Sequence, residues 1–462
     1  MDKKIIPMLY DIKKYLNTKN LDYFEIRFEK HKNRIIDVEN TSTKELIEKE
    51  TEGIGIRIII DKKVGFLALN EFSKYKEKID KVIENTKRIN KKTEFKNYST
   101  NKGKDILKYK DFESISNSQK IKEINEINKE ILKTSNRDIK ILNSEIIYKE
   151  TEIEKYFLTN HAEIHQKRPY TVFYSKITGK KNYQIETNVD RLGSIGGLEL
   201  FNKEEKIKMV LENRKTLQEL LESKPCPAIT TDIILSPDVG ELLAHEAIGH
   251  ACEGDFLIDK TTVLKKGLKV SKNPEVNIID NPEKKDFGYF KYDDEGIKAK
   301  KVDLIKNGVV NDFMTDITTA TKLNEISNGS ARSENYNFLP IVRMSNTYFK
   351  EGTTKEKDML SDYTGFLLKG FSGGEVDTNI GTFMFGIRQA YEYKHGEIIN
   401  KYKQASISGD ILKYLNKITE ISNKIGNFEF GYCGKNGQTA FVSGSSPLIK
   451  IEDVIVGGTK HE

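Results

Sequence analysis

The sequence predicts an α+β protein of two mixed α/β lobes: an N-terminal sheet-and-helix domain over residues 1–225, and a C-terminal, β-rich domain over residues 226–462 that carries one chemically distinctive helix. Three observations lead there. In the first half, period-two runs of apolar and polar residues alternate with runs of helical period. Lys224-Pro-Cys-Pro227 then breaks the pattern, because two prolines exclude helix and favour an extended linker. Beyond it, strand-like runs bounded by glycine surround Glu241-Leu-Leu-Ala-His-Glu-Ala-Ile-Gly-His-Ala-Cys-Glu-Gly-Asp255, where two of the seven histidines flank a carboxylate.

In chain order, Ile5 to Leu16 is amphipathic and reads as a helix. Strand-like runs follow at Tyr23 to Glu29, Arg34 to Glu39, Gly55 to Ile60 and, after the charged Asp61-Lys-Lys63 turn, Val64 to Leu69. Lys74 to Lys92 reads as a Lys/Glu-rich helix, Tyr98 to Asp111 as a polar loop, and Ser118 to Ser135 as a charged helix with isoleucines at helical intervals. Alternation returns at Ile139 to Tyr148, Thr151 to Leu158, Tyr170 to Ile177 and Gln184 to Val189, which suits antiparallel strands. Ser194-Ile-Gly-Gly-Leu198 breaks it before a helix from Lys203 to about Ser223.

In the second lobe Thr230 to Leu235 is a short strand, and Ser236 with Pro237 starts a helix as N-cap and first-turn proline. Asn307-Gly308 between Val302 to Ile305 and Val309 to Met314 marks a hairpin. Ile411 to Ile421 reads as a helix and Leu448 to Val456 as a terminal strand. No internal repeat is evident.

Composition narrows the function classes. A net charge of +6 from 76 basic and 70 acidic residues, with both signs interleaved, is a solvated surface and not a nucleic-acid footprint. No run reaches the roughly 18 apolar residues of a membrane span, and Met1 to Tyr10 lacks the apolar core of a signal peptide. Cys226, Cys252 and Cys433 form no disulfide framework and suit a reducing compartment, so the expected location is cytoplasmic.

His245-Glu-Ala-Ile-Gly-His250 is one residue wider than H-E-x-x-H, the pattern in which two histidines share a helical face and the glutamate activates water at zinc. A four-residue step leaves side chains about 40° apart around the axis, whereas the five-residue step here leaves about 140°. The spacing therefore predicts a π-type widening of the helix, tolerated by Gly249, that turns both imidazoles to one ion. A catalytic zinc wants a third protein ligand. Cys252, Glu253 and Cys433 are all candidates, and local spacing leaves the three open. Glycines around Cys433 suggest a tight loop that folding delivers to the site. Glu253 and Asp255 are candidates for orienting an imidazole from outside the ligand sphere. A second H-x-x-x-H, His161 to His165 with Glu163 between, fits the alternation of a half-solvated strand. His31, His395 and His461 stand in charged or terminal contexts and read as exposed. Glycine runs at 193–197 and 370–374 lack the lysine and hydroxyl of a phosphate-binding loop.

These words occur in a known order. The histidine motif, Glu253-Gly-Asp255, Asp294-Glu-Gly296, Asn328-Gly-Ser-Ala-Arg332, Arg343-Met-Ser-Asn-Thr-Tyr348, Gly373-Gly-Glu-Val-Asp377 and Cys433-Gly-Lys-Asn-Gly-Gln438 resemble the successive motifs of the TldD/PmbA family of zinc-dependent peptidases. The resemblance is specific over about residues 228–458 and weaker at Glu25-Ile-Arg27 and Gly53-Ile-Gly-Ile-Arg57. It implies His245, His250 and Cys433 as the ligands of one Zn²⁺ per chain, Glu246 as the general base, and Cys252 as a neighbour. Many members are metal-free partner subunits; this chain keeps all three ligand positions and resembles the active, TldD-like type. Ser330 stands where some relatives carry other residues, histidine among them.

The resemblance implies a peptidase acting on short or unfolded peptides inside an enclosed dimer, either a homodimer or a heterodimer with a family paralogue. The alternatives are a noncatalytic metal-containing partner subunit and a zinc amidohydrolase acting on a small amide. Intact Glu246 argues against the first, since a structural ion has no use for a base.

Overall fold

A computed structural model describes residues 5–133 and 139–458. The expected helix end at Ser135, the first four residues and His461 lie outside them. The first half builds α1 (Ile5–Asn17), β1 (Tyr23–Glu39), β2 (Ser42–Ile60), β3 (Lys63–Leu69), α2 (Tyr75–Lys87), β4 (Lys102–Ile106), α3 (Asn117–Lys133), β5 (Lys140–Leu158), β6 (Glu163–Lys181), β7 (Gln184–Ile195) and α4 (Lys203–Glu222). The strands form one seven-stranded sheet in the order β3-β2-β1-β5-β6-β4, with β7 also on β6. Two expected pairs of short strands are thus single long ones, Tyr23–Glu39 and Lys140–Leu158. Their polar middles pair with each other, His31 with Ile153 and Asn33 with Thr151, so no turn is needed there.

The expected loop over Tyr98 to Asp111 contains β4, which runs parallel to the start of β6. Pro169 sits inside β6 past the end of β4, which stops opposite Lys167, and before the pairing with β7, which starts at Tyr170. A residue with no N–H is tolerated at that gap in the ladder.

Pleating divides the sheet into two faces. On one, Phe24, Ile26 and Phe28 pack under α1 and α2, while Ile36, Val38, Ile146 and Phe173 pack under α3 and α4. The other face, which alternation alone would leave to solvent, is covered by the second lobe. Glu25, Arg27, Glu29 and Arg57 are buried there. Arg57 bridges Glu25 at 2.6 Å and Glu295 of the second lobe at 2.8 Å, and Arg27 donates to Ser333 Oγ at 2.7 Å. His31, expected exposed, is half-buried on this face and bonded to Glu29 at 2.7 Å; His395 is exposed as expected.

Continuing the numbering, β8 is Lys224–Pro225, β9 is Ile229–Leu235 and α5 is Pro237–Leu242. The strand pairing Lys224–Pro225 with Tyr402–Lys403 makes the proline linker an edge of the second lobe. There β9, Gly365–Asp377, Thr382–Lys394, Glu397–Asp410 and Ile449–Gly458 each pair with the next, and the last returns to both β9 and Glu397–Asp410, closing a ring. Its apolar lining, Ile233, Leu235, Phe366, Leu368, Phe385 and Ile407, joins one core with Leu242, Leu243, Ala247 and Ile248 of the histidine-bearing helix.

The expected helix over Ile411 to Ile421 ends at Asn416, and Ile418–Ile421 pairs as a strand with Ile449–Ile451. The strand after Asn307-Gly308 is only Val309–Val310, because Met314 turns away to bridge Glu253. No helix among the described residues is long and apolar enough to cross a membrane.

Candidate metal centre

The helix that carries the histidines changes its pitch where the sequence demands it. Ser236 starts it through its backbone carbonyl, which accepts from the amides of Val239 at 3.0 Å and Gly240 at 2.8 Å; its hydroxyl bonds Asp238 and makes no side-chain cap. After α5 the chain continues as a π-helix over Leu243–Gly249, and the His250 amide donates to the His245 carbonyl, five residues back. The expected widening is present, and it sets the two rings edge to face with centroids 5.3 Å apart. Gly249 is required here by proximity and not by its backbone angles, since a Cβ on it would fall 2.0 Å from Met344 Sδ.

Cys433 arrives from the far end of the chain. The glycine-rich segment is a β-hairpin, Glu429–Lys435 paired with Gln438–Ser445, and not a loose loop. Asn436 and Gly437 make its two-residue turn, both with positive φ. Alternation sends Phe430 and Tyr432 toward the N-terminal sheet and Cys433 and Lys435 toward the histidine helix. Arg343, fully buried, grips the hairpin by donating to the carbonyls of Cys433 and of Gln438, the latter at 2.9 Å.

One donor atom from each of His245, His250 and Cys433 lies within 4.8 Å of the others, with Cys433 Sγ 3.4 Å from His250 Nε2. The electrostatics match a cation's place. Burial alone would raise the Cys433 thiol, yet the two imidazoles outweigh it and hold it down at about 4. Burial likewise opposes protonation of His245, but the thiolate beside it pushes the ring up to about 9, and Glu253 with Cys433 raises His250. A thiolate between two imidazoles, one of which has a buried Nδ1 with no partner among the described residues, is a donor set that fits zinc.

The other sequence candidates separate clearly. Cys252 is fully buried in the apolar core, outside the cluster of His245, His250 and Cys433, and burial pushes its thiol up. Glu253, fully buried, places Oε2 3.1 Å from His250 Nδ1 and is itself bound by Lys435 Nζ at 3.1 Å. Asp255 touches no histidine; it holds Lys435 at 2.7 Å and so acts one contact further out. Glu246 is partly exposed, 26% accessible, with Oε2 3.8 Å from His250 Nε2. Ser330 is not part of the donor cluster and donates to Asn328 Oδ1 at 2.9 Å.

His161 precedes β6, Glu163 is bonded by Tyr156, and His165 is bonded to Glu154 at 2.7 Å, so the second H-x-x-x-H gathers no site. Reading the sequence assigned no role to Lys435 or Arg343, although both stand inside quoted motifs. The signal was a cation two residues after a candidate thiolate, on the same strand face. Glu241 was missed as well. One turn before His245, it lines a cleft of about 840 Å³ between the lobes with Asp190, Arg191 and Glu429, and burial pushes its carboxyl up to about 7.

Comparison with known proteins agrees over both lobes. Residues 229–458 match the PmbA/TldA metallopeptidase C-terminal domain, and residues 24–89 match domain 1 of the same metallopeptidases. A metalloprotease of Methanocaldococcus jannaschii is 30% identical over 443 residues, covering 93% of this chain and 96% of the relative. A zinc metalloprotease TldD homolog of Saccharolobus solfataricus is 34% identical over 257 residues, 54% of this chain and 57% of that one. The crystal structure of TldE from Thermococcus kodakarensis shares the fold, with TM-score 0.78 over 98% of this chain and 100% of that one at 18% identity. By domain match and by near full-length similarity, the chain belongs to the TldD/PmbA family of metallopeptidases.

Proposed function

We propose that the chain is a zinc-dependent peptidase that hydrolyses peptide bonds of short or unfolded peptides, holds one Zn²⁺ per chain, and works in the cytoplasm as a homodimer or paired with a family paralogue. The observation that carries this reading is the convergence of His245, His250 and Cys433 within 4.8 Å beside a partly exposed Glu246. Zinc bound there supplies a Lewis acid for a peptide carbonyl and lowers the pKa of water toward neutrality. Glu246 accepts the proton of the attacking water on a carboxylate oxygen and returns it to the departing amine nitrogen. Glu253 accepts from His250 Nδ1, which fixes the tautomer and leaves Nε2 free to donate its lone pair. Cys433, as the thiolate among the three residues that would hold the ion, would make it a weaker Lewis acid and leave more of the barrier to Glu246. The cleft beside Glu241 has room for a short extended peptide segment, and backbone pairing along a sheet edge would give affinity with little side-chain preference.

Incubating the zinc-loaded protein with an unstructured peptide, a folded protein and a panel of small nonpeptide amides tests this. Cleavage of the unstructured peptide alone, abolished by chelation and restored by zinc, is expected. Turnover confined to a small amide would replace the peptidase with an amidohydrolase. No turnover of any substrate by the metal-loaded chain, alone or mixed with a paralogue, would leave the noncatalytic subunit.

A further inference from the structure

On the face of the Glu429–Lys435 hairpin opposite Cys433, a cavity of about 330 Å³ lies between the N-terminal sheet and the second lobe. Lys149 and Arg168 enter it from the sheet, and Arg332 enters from the second lobe. Among the described residues none of these three cations has a carboxylate within ion-pair distance. Arg168, 5% exposed, donates to the Tyr289 carbonyl at 2.9 Å, and its Nε finds no partner among the described residues. Arg332 donates to the carbonyls of Met344 and Phe441, at 2.8 and 2.6 Å. Lys149 has the Tyr432 ring 5.2 Å away.

The acids of the cavity are already engaged. Glu29 and Asp294 are held by Lys155 at 3.1 and 2.9 Å, and Glu334 accepts from the Thr439 amide at 2.7 Å. Asp293 accepts from the backbone amides of Glu295, Ile297 and Ala331. Burial lowers Lys149, and lowers Arg332 to about 10, with Arg168 adding repulsion. Arg168 is buried and Lys149 and Arg332 are partly so; a cation drawn from water without a carboxylate partner is costly, and the free face of a guanidinium matches an oxyanion. Phe290, Tyr170 and Phe441 furnish apolar walls beside them.

We propose that this cavity is a second binding site, separate from the metal centre, for a small organic oxyanion, a carboxylate or a phosphate carried on an apolar or aromatic body, whose charge is shared by Lys149, Arg168 and Arg332. Because the cations come from both lobes, the bound anion clamps the lobes together.

Titration calorimetry on the zinc-loaded full chain tests it with three probes: N-acetylphenylalanine, phenyl phosphate, and neutral N-acetylphenylalaninamide. Wild type is expected to bind one or both anions and not the amide; which anion binds identifies the carboxylate or the phosphate source. Lys149→Gln and Arg332→Gln are each expected to weaken anion binding roughly tenfold or more. Lys149 is only partly buried, so its variant keeps the test open should Arg332→Gln fail to fold. Equal binding of the amide, absence of binding by either anion, or anion binding unchanged in Lys149→Gln, as expected for a carboxylate on the metal instead, would overturn the proposal.

Discussion

Glu253→Gln isolates what the carboxylate behind His250 contributes. In the wild type Glu253 is fully buried, with Oε2 3.1 Å from His250 Nδ1 and 3.1 Å from Lys435 Nζ. The amide keeps an acceptor for the imidazole N–H but loses the charge that makes the ring a stronger donor to an ion. It also leaves Lys435 with Asp255 as its remaining carboxylate. Loss of such an outer partner costs about 10- to 100-fold in metal affinity, or roughly 1.4–2.7 kcal/mol. Asp255→Asn is the matched control: it removes a charge of the same sign from the same lysine without touching a histidine, and is expected to change zinc affinity by less than about threefold. Competition of each apo protein against a chromophoric zinc chelator at one neutral pH measures both. If Glu253→Gln stays within threefold of wild type, or Asp255→Asn falls as far as Glu253→Gln, the orienting role of Glu253 is wrong.

Metal content after exhaustive dialysis should separate the cysteines: Cys433→Ser loses the ion and the peptide cleavage, while Cys252→Ser keeps the ion and loses about 1–3 kcal/mol of stability through a buried hydroxyl. Glu246→Gln should retain zinc and lose about 10²- to 10⁴-fold in kcat, read by metal analysis and peptide cleavage on the same sample. Burial first, and then Asp238, Glu241 and Asp190 against the opposing Arg191, pushes Glu429 up to about 7. An acid raised on folding binds a proton that the unfolded chain has released, so stability falls as pH rises from the ordinary 4.5 through about 7. Urea melts of Glu429→Gln should therefore match wild type near the low end of that window and exceed it above the window, by about 2 kcal/mol once exposure to cleft solvent is allowed for. Chelation should abolish cleavage yet leave the near-ultraviolet circular dichroism and a cooperative melt in place; collapse to an unfolded chain would make the ion structural.

Local chemistry was legible wherever the signal lies within one turn or one strand. The step from His245 to His250 fixes a π turn because no regular helix can aim both rings at one point. Asn436-Gly437 carries a hairpin signal as clear as Asn307-Gly308, and reading it would have placed Cys433 on a strand. What remained hidden depends on which surface meets which. The charged alternation Glu25, Arg27, Glu29, His31 is that of a solvated face, yet those side chains sit between lobes, paired with Arg57, Ser333 and Lys155. Period-two patterning reports two unlike faces of a strand and does not say whether the polar one meets water or another polar face. Ligand choice was hidden for a related reason: Cys252 and Cys433 differ in pKa because one is surrounded by aliphatic core and the other by two imidazoles.

The expectation that chelation spares the fold rests on how the three candidate ligands are fastened. His245 and His250 are set by a backbone hydrogen bond five residues long, inside a helix whose Leu242, Leu243, Ala247 and Ile248 belong to the main core. Gly249 is pressed against Met344, so the widened turn cannot slide without opening that contact. Cys433 is carried on a hairpin whose carbonyls are held by the buried Arg343, and His250 is tied through Glu253 and Lys435 back to that same hairpin. None of these restraints passes through a metal. Structural zinc sites draw their folding energy from the ion and fall apart without it. Here the chain's own contacts hold His245, His250 and Cys433 in place in advance, as the proposed catalytic ion with an open position would need.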